Sequence, residues 1–260
     1  MSKLLPHERI SASIRAATAA GRVALVPFMT AGYPAKDRFI DTLRAISGPG
    51  DVVEVGVPFS DPMADGVTIQ RSSHAAIEAG VSLRWILAEL SAAGDTGAPV
   101  VLMSYLNPLL AYGYDRLAAD AVQAGVCGFI VPDLPLEEGG ELRAALDAQG
   151  LALIQLVTPA TPDERMQRLC HASRGFIYAV TIKGITGGGQ AMPAEVTSYL
   201  DRVKAAAGEL PVCAGFGVRA AEQVRSLGRH ADGVIVGSAL VEQLEAGADP
   251  AAFLNGLRLS

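Results

Sequence analysis

Short, almost continuous apolar runs recur along the chain. They alternate with stretches whose apolar positions repeat every three to four residues. The runs are VALVPFM from Val23, DVVEVGV from Asp51, PVVLMSY from Pro99, CGFIVPD from Cys127, LALIQLV from Leu151, GFIYAVT from Gly175, PVCAGFG from Pro211 and GVIVGSA from Gly233. Runs of this kind read as strands buried on both faces. Between them the period lengthens toward 3.6. Phe39, Ile40, Leu43 and Ile46 form one stripe, and Leu142, Ala145 and Leu146 another, with Gly150 where a helix would stop. Thr161-Pro162-Asp163-Glu164 reads as a helix start: threonine can cap, proline suits the first turn, and glutamate three residues on can complete a capping box.

Strand alternating with helix eight times predicts an α/β fold, a parallel sheet closed into a single (β/α)8 TIM barrel over residues 1–260. An open, doubly wound sheet is the alternative, because periodicity carries no information about closure. Segments 57–99 and 181–211 are longer than their counterparts. Extra length after a barrel strand marks a working loop, since active sites lie at the C-terminal ends of the strands.

Composition narrows the function class. The 260 residues are 50% hydrophobic and 18% charged, which excludes a disordered chain. Twenty-one basic against 27 acidic residues leave a net charge of −6, which argues against nucleic acid or an anionic membrane as partner. Cys127, Cys170 and Cys213 are far apart and form no CxxC, so neither a disulfide framework nor a zinc site is expected, and all three read as core residues. The start resembles no signal peptide and no apolar run is long enough to span a bilayer, so a soluble cytoplasmic protein is expected.

Two acids stand out. In DVVEVGVPF, Val53, Val55 and Val57 alternate with Val52, Glu54 and Gly56. If the three valines pack against helices, Glu54 points into the barrel, and Gly56 leaves room beside its carboxyl. Burial there would raise the carboxyl pKa toward the range useful for proton transfer. The bland alternative is a buried glutamate hydrogen-bonded to neighbouring strands. Asp65, in the stiff loop Pro58–Gly66, can fold back over the same mouth and divide acid and base work with Glu54. Its alternative is a turn residue before Gly66. Asp61, before a proline, reads as structural.

Glycines gather after the last three strands: Gly184 with Gly187-Gly188-Gly189, Gly215 with Gly217, and Gly237 before Ser238. Backbone N–H groups and a helix N-terminus at one end of a barrel suit a phosphate. Each pair by itself reads as a turn; three at one barrel end favour an anion site. The histidines (His7, His74, His171, His230) are scattered, with no metal-ligand spacing, and Lys183 reads as solvated.

On these segments the chain resembles the tryptophan synthase alpha subunit family from about Val23 to Gly237. The most specific stretch is Glu54–Gly66. Supporting it are Val26–Gly32, Pro132–Pro135 with Glu137-Glu138, Gly184–Gly187, Gly215–Gly217 and Gly237-Ser238. The resemblance implies retro-aldol cleavage of indole-3-glycerol phosphate to indole and glyceraldehyde 3-phosphate, without metal or organic cofactor. It implies Glu54 as general acid/base and Asp65 as acceptor of the indole N–H. It also implies an indole pocket of Phe28, Ile130, Tyr178 and Phe216, and substrate contacts from Thr186, Gly187, Gly217, Gly237 and Ser238. The implied partner is a beta subunit carrying pyridoxal phosphate, in an α2β2 assembly, with the loop after the second strand and the region near Asp133 as the communicating surface. Before Gly184 the family commonly has serine-arginine or a similar polar run, whereas this chain has Thr181-Ile182-Lys183. The alternatives are a stand-alone lyase releasing free indole, a noncatalytic phosphate-binding barrel that regulates a partner enzyme, and another phosphate-binding barrel enzyme. The last would leave the Glu54–Gly66 stretch unexplained.

Overall fold

The structure, a computed structural model, describes residues 4–180, 193–215 and 217–258. All eight apolar runs are strands: β1 (Ala24–Thr30), β2 (Val53–Gly56), β3 (Val100–Met103), β4 (Val126–Ile130), β5 (Ala152–Val157), β6 (Ile177–Val180), β7 (Val212–Gly215) and β8 (Gly233–Val236). They pair in parallel in chain order, and β8 returns to β1 through Ala24↔Gly233 and Val26↔Ile235. That closure makes a (β/α)8 barrel and rules out the open sheet.

Two apolar layers follow from the strand period of two. Val53, Val55 and Val57 belong to the layer between barrel and helices, while Val52 joins Val26, Val101, Ile154 and Phe176 inside the barrel. Glu54 therefore faces inward. The outer layer is completed by the helical stripes: Phe39, Leu43 and Ile46 are buried on the helix Phe39–Ser47, and Leu142, Ala145 and Leu146 on Gly140–Ala148. Gly150 follows that second helix at φ +68°, a conformation that favours glycine. Cys127, Cys170 and Cys213 are all buried.

An N-terminal helix, Pro6–Ala19, closes the lower end. Its Ile10, Ile14 and Ala17, spaced along one face, pack into the inner core. Its Ser11 donates to Gly175 O (2.7 Å), just before β6, and Ser13 Oγ to Asp51 O (2.5 Å), just before β2. With the N-terminal ends of the strands covered, the cavity inside the barrel opens at their C-terminal ends.

The helix start at Thr161 differs from the capping-box expectation. The helix Asp163–Ala172 has Pro162 at its N-cap with no side-chain cap, and Thr161 Oγ1 instead accepts from Thr158 N (3.0 Å). The long segment after β2 holds a loop followed by two helices, Val67–Glu78 and Leu83–Ala93. Residues 181–192, the core of the other long segment, lie outside the described residues.

Candidate active site

At the open mouth, a cavity of about 580 Å³, counting its exposed entrance, takes in Phe28 from β1, Glu54 from β2, Asp65 from the following loop, Tyr178 from β6, and Gly217, Gly237 and Ser238 from the loops after β7 and β8. Seven of the expected residues thus converge on one space.

Glu54 is 1% exposed, and neither carboxylate oxygen has a hydrogen-bond partner among the described residues. The bland alternative required bonds to neighbouring strands, and these are not made. A buried carboxylate without partners is costly to ionise. Burial first, and the negative charge of Asp65 second, push the Glu54 pKa up to about 8. The side chain therefore holds a proton near neutral pH and can deliver it.

Asp65 is less deeply buried and, unlike Glu54, hydrogen-bonded. Its loop turns on Asp65 N to Pro62 O (3.1 Å) and Met63 N to Asp61 O (2.9 Å), and Gln70 Nε2 donates to Asp65 O (2.8 Å). Tyr105, just past β3, braces this loop. Its hydroxyl donates to Asp65 Oδ2 (3.2 Å) and accepts from Ala64 N (2.9 Å), while its ring stacks on Phe59 with centroids 4.8 Å apart. Burial raises the Asp65 pKa, and the Tyr105 hydroxyl opposes that rise. Two carboxyls in one cavity thus sit in different surroundings: one without partners, the other hydrogen-bonded. Such a pair can separate acid and base roles.

Two glycines make room for the aromatic walls. A Cβ at Gly56 would lie 2.6 Å from Phe28 Cζ, and one at Gly215 would lie 2.7 Å from Tyr178 Cε1. The space at Gly56, expected beside the Glu54 carboxyl, is occupied by the Phe28 ring. Burial and the nearby Glu54 keep the Tyr178 hydroxyl protonated.

The opposite side of the cavity is backbone. Gly217 adopts φ +64°, and Gly237 precedes the helix Ser238–Glu245. The first N–H groups of a helix lack partners within it and carry partial positive charge, which suits an anion. Ser238 adds a hydroxyl at the same place.

Other expected residues fall elsewhere. Ile130 is fully buried in the core inside the barrel and is not among the side chains lining the cavity. Thr186, Gly187 and Phe216, with the Thr181-Ile182-Lys183 departure, lie outside the described residues. Met103 and Ile69 line the cavity, and Tyr105 lines a smaller pocket that shares Phe28 and Asp65 with it; none of the three was singled out in the sequence. The signal for Tyr105 was its position at the C-terminal end of the third apolar run. Among the described residues, no group of three or more histidine, cysteine, aspartate or glutamate side chains is arranged to hold a metal ion, and no helix is long and apolar enough to cross a membrane.

Comparison with known proteins identifies the family. Residues 14–255 match the family described as "Tryptophan synthase alpha chain". A tryptophan synthase alpha chain from Nitratidesulfovibrio vulgaris (strain Hildenborough) is 47% identical over 249 residues, covering 95% of this chain and 96% of that one. One from Solidesulfovibrio magneticus is 45% identical over 247 residues, covering 94% and 96%. Among solved structures, a chain of M. tuberculosis tryptophan synthase in an open form superposes with a TM-score of 0.87 at 37% identity, covering 96% of each chain. A chain of the tryptophan synthase complex from Pyrococcus furiosus does so with a TM-score of 0.80 at 34% identity, covering 90% of this chain and 95% of that one. With a family match across nearly its whole length and relatives well above 40% identity, this chain belongs to the tryptophan synthase alpha chain family.

Proposed function

We propose that the chain performs its family's lyase reaction with Glu54 as general acid/base and Asp65 as the partner of the indole N–H. Membership of the family makes the protein a lyase of tryptophan biosynthesis that cleaves indole-3-glycerol phosphate. The roles of its residues are our reading of the site. The observation that carries it is the Glu54 carboxyl: buried, without hydrogen-bond partners among the described residues, and facing the same cavity as Asp65.

The chemistry follows from that placement. The bond from indole C3 to the glycerol chain breaks readily once C3 is protonated and the ring becomes an iminium-like electron sink. The Glu54 carboxyl supplies this proton, and the Asp65 carboxylate steadies the positive charge that develops on the ring N–H. The resulting Glu54 carboxylate takes the proton of the adjacent glycerol hydroxyl. The carbonyl forms, the C–C bond electrons return to the ring, and Glu54 regains its proton. Indole and glyceraldehyde 3-phosphate leave with no net proton change.

The phosphate lies against Gly217, Gly237 and Ser238, with Thr186 and Gly187 completing the cradle in this reading. Its binding energy positions the reacting bond. Phe28 and Tyr178 enclose the ring, with Phe216 as the third aromatic wall and Ile130 supporting them from the core. Pyridoxal phosphate belongs to a beta subunit, which receives the indole in an α2β2 assembly. Exposed apolar side chains on the mouth side support that partner: Met63 (89% exposed) and Val67 (76%) after β2, and Leu110 after β3. Asp133 adds to the same rim by accepting Leu106 N (2.9 Å) at the start of the helix that carries Leu110.

The test is an indole-release assay on the isolated chain and on the chain mixed with a beta subunit. Wild type releases indole and is accelerated by the partner. Glu54→Gln abolishes release while retaining binding of a glycerol-phosphate analogue, and Asp65→Asn lowers turnover strongly. Persistent release by Glu54→Gln refutes the proton-transfer assignment. Full release without any response to the partner points to a stand-alone lyase.

A further inference from the structure

Two loops and two helices around the mouth are tied to one another by two carboxylates outside the cavity. Both belong to the helix Ser238–Glu245, whose first residue lines the anion end. Glu242 accepts two hydrogen bonds from Arg219, Nη1 at 2.6 Å and Nη2 at 2.9 Å, and a third from Thr68 Oγ1 at 3.3 Å. Arg219 stands two residues after Gly217, and Thr68 three residues after Asp65. Glu245, one turn on, accepts a similar pair from Arg71 (2.9 and 2.6 Å) and one from Tyr33 Oη (2.5 Å). Tyr33 follows β1 and Arg71 lies on the helix after β2.

The bonds of Thr68 to Glu242 and of Arg71 to Glu245 therefore run between the two ends of the site, while Arg219 holds the Gly217 loop to the same helix. One end carries Asp65, which meets the ring. The other carries Gly217, Gly237 and Ser238, which meet the anion. Ion pairs this exposed contribute little to global stability, but bidentate arginine–carboxylate pairs fix orientation. A ligand that spans both ends is sensitive to the distance between them, whereas a fragment that touches only one end is not.

We propose that Glu242 is a positioning residue that sets the spacing between the Asp65 end and the anion end of the cavity. The inference rests on the site reading above and adds what selects for the length of the ligand. Glu242 acts through Arg219 and Thr68 and touches no reacting atom. Linking two fragments increases affinity only when both sites can be engaged at once. Loss of the clamp removes that advantage and leaves each half-site able to bind.

The experiment compares three ligands on wild type, Glu242→Ala, Thr68→Val and the double variant. The ligands are indole, glycerol 3-phosphate, and a stable compound in which a three-carbon chain joins an indole ring to a phosphate. We expect each single variant to bind both fragments within about twofold of wild type and to bind the joined compound about tenfold more weakly. The double variant should bind the joined compound no worse than Glu242→Ala alone, because both substitutions remove the bond between Thr68 and Glu242. Thermal midpoints should stay within about 2 °C of wild type. Unchanged affinity for the joined compound overturns the inference. So does an equal loss for one fragment, which would make Glu242 a local support of that half-site. Should Glu242→Ala fail to fold, Thr68→Val carries the same comparison. A wild type that binds none of the three refutes the site itself rather than the clamp.

Discussion

The Tyr105 hydroxyl donates to one oxygen of Asp65 at 3.2 Å and accepts from the backbone of its neighbour Ala64, so a residue at the end of the third strand sets both the position and the charge of an acid from the loop after the second. That bond lowers the Asp65 pKa against the rise due to burial. Tyr105→Phe leaves burial unopposed, and the Asp65 pKa goes up. In our mechanism Asp65 works as a carboxylate, so the acidic limb of kcat/KM should move to higher pH. At neutral pH kcat/KM should fall about tenfold. A pH–rate profile of the variant beside wild type reads both effects, and an unmoved acidic limb would separate Asp65 from catalysis.

Glu54 makes stability depend on pH in a definite direction. In the unfolded chain its proton leaves near the ordinary value of 4.5, while in the fold it is held to about 8. Between those values the folded state binds more protons than the unfolded one. Stability is therefore lost as pH rises across that window and levels off above it. Glu54→Gln removes this loss. The stability of the variant relative to wild type should grow by on the order of 1–3 kcal/mol between about pH 5 and about pH 8. Urea titrations at the two ends of that range measure it. Any pH-independent cost of the buried amide cancels in the comparison, and a difference that does not change with pH would place the carboxyl in water.

Gly215, like Gly56, is a point at which the wall of the pocket has no room for a side chain. An alanine Cβ there would lie 2.7 Å from Cε1 and 3.1 Å from the hydroxyl oxygen of Tyr178, whose ring stands over Phe176 with centroids 6.3 Å apart. Gly215→Ala should cost about 1–3 kcal/mol by displacing that ring. It should also weaken binding of indole. Thermal unfolding and an indole titration together test this, and retention of both values would show that the ring has room to move.

Gly237 gives the opposite result. An added Cβ there meets nothing closer than Phe28 Cβ at 4.0 Å. Gly237→Leu should therefore fold normally while its side chain fills the anion end. Affinity for glycerol 3-phosphate should drop about tenfold or more with the thermal midpoint nearly unchanged. Undiminished affinity would move the phosphate away from this loop.

Periodicity carried much of this in one dimension. The eight apolar runs located the eight strands, because a strand buried on both faces has to be apolar nearly throughout. Val53, Val55 and Val57 announced the inward direction of Glu54 for the same reason: a period of two leaves only two faces, and the apolar one was already assigned. Local chemistry was less reliable. Thr161 had the right residue type for a cap, yet its hydroxyl bonds Thr158 N, because a short polar side chain takes whichever neighbouring donor the turn presents.

Contacts between residues distant in the chain were written nowhere in the pattern. Barrel closure depends on β8 meeting β1, and the plug under the barrel on a helix that precedes every strand. The brace from Tyr105 to Asp65 spans 40 residues, and the bond from Thr68 to Glu242 spans 174. A residue type and its spacing state which face a side chain occupies. Which partner it meets there, and hence how strongly it holds a proton, is settled only when elements far apart in sequence are packed against one another and water is excluded between them.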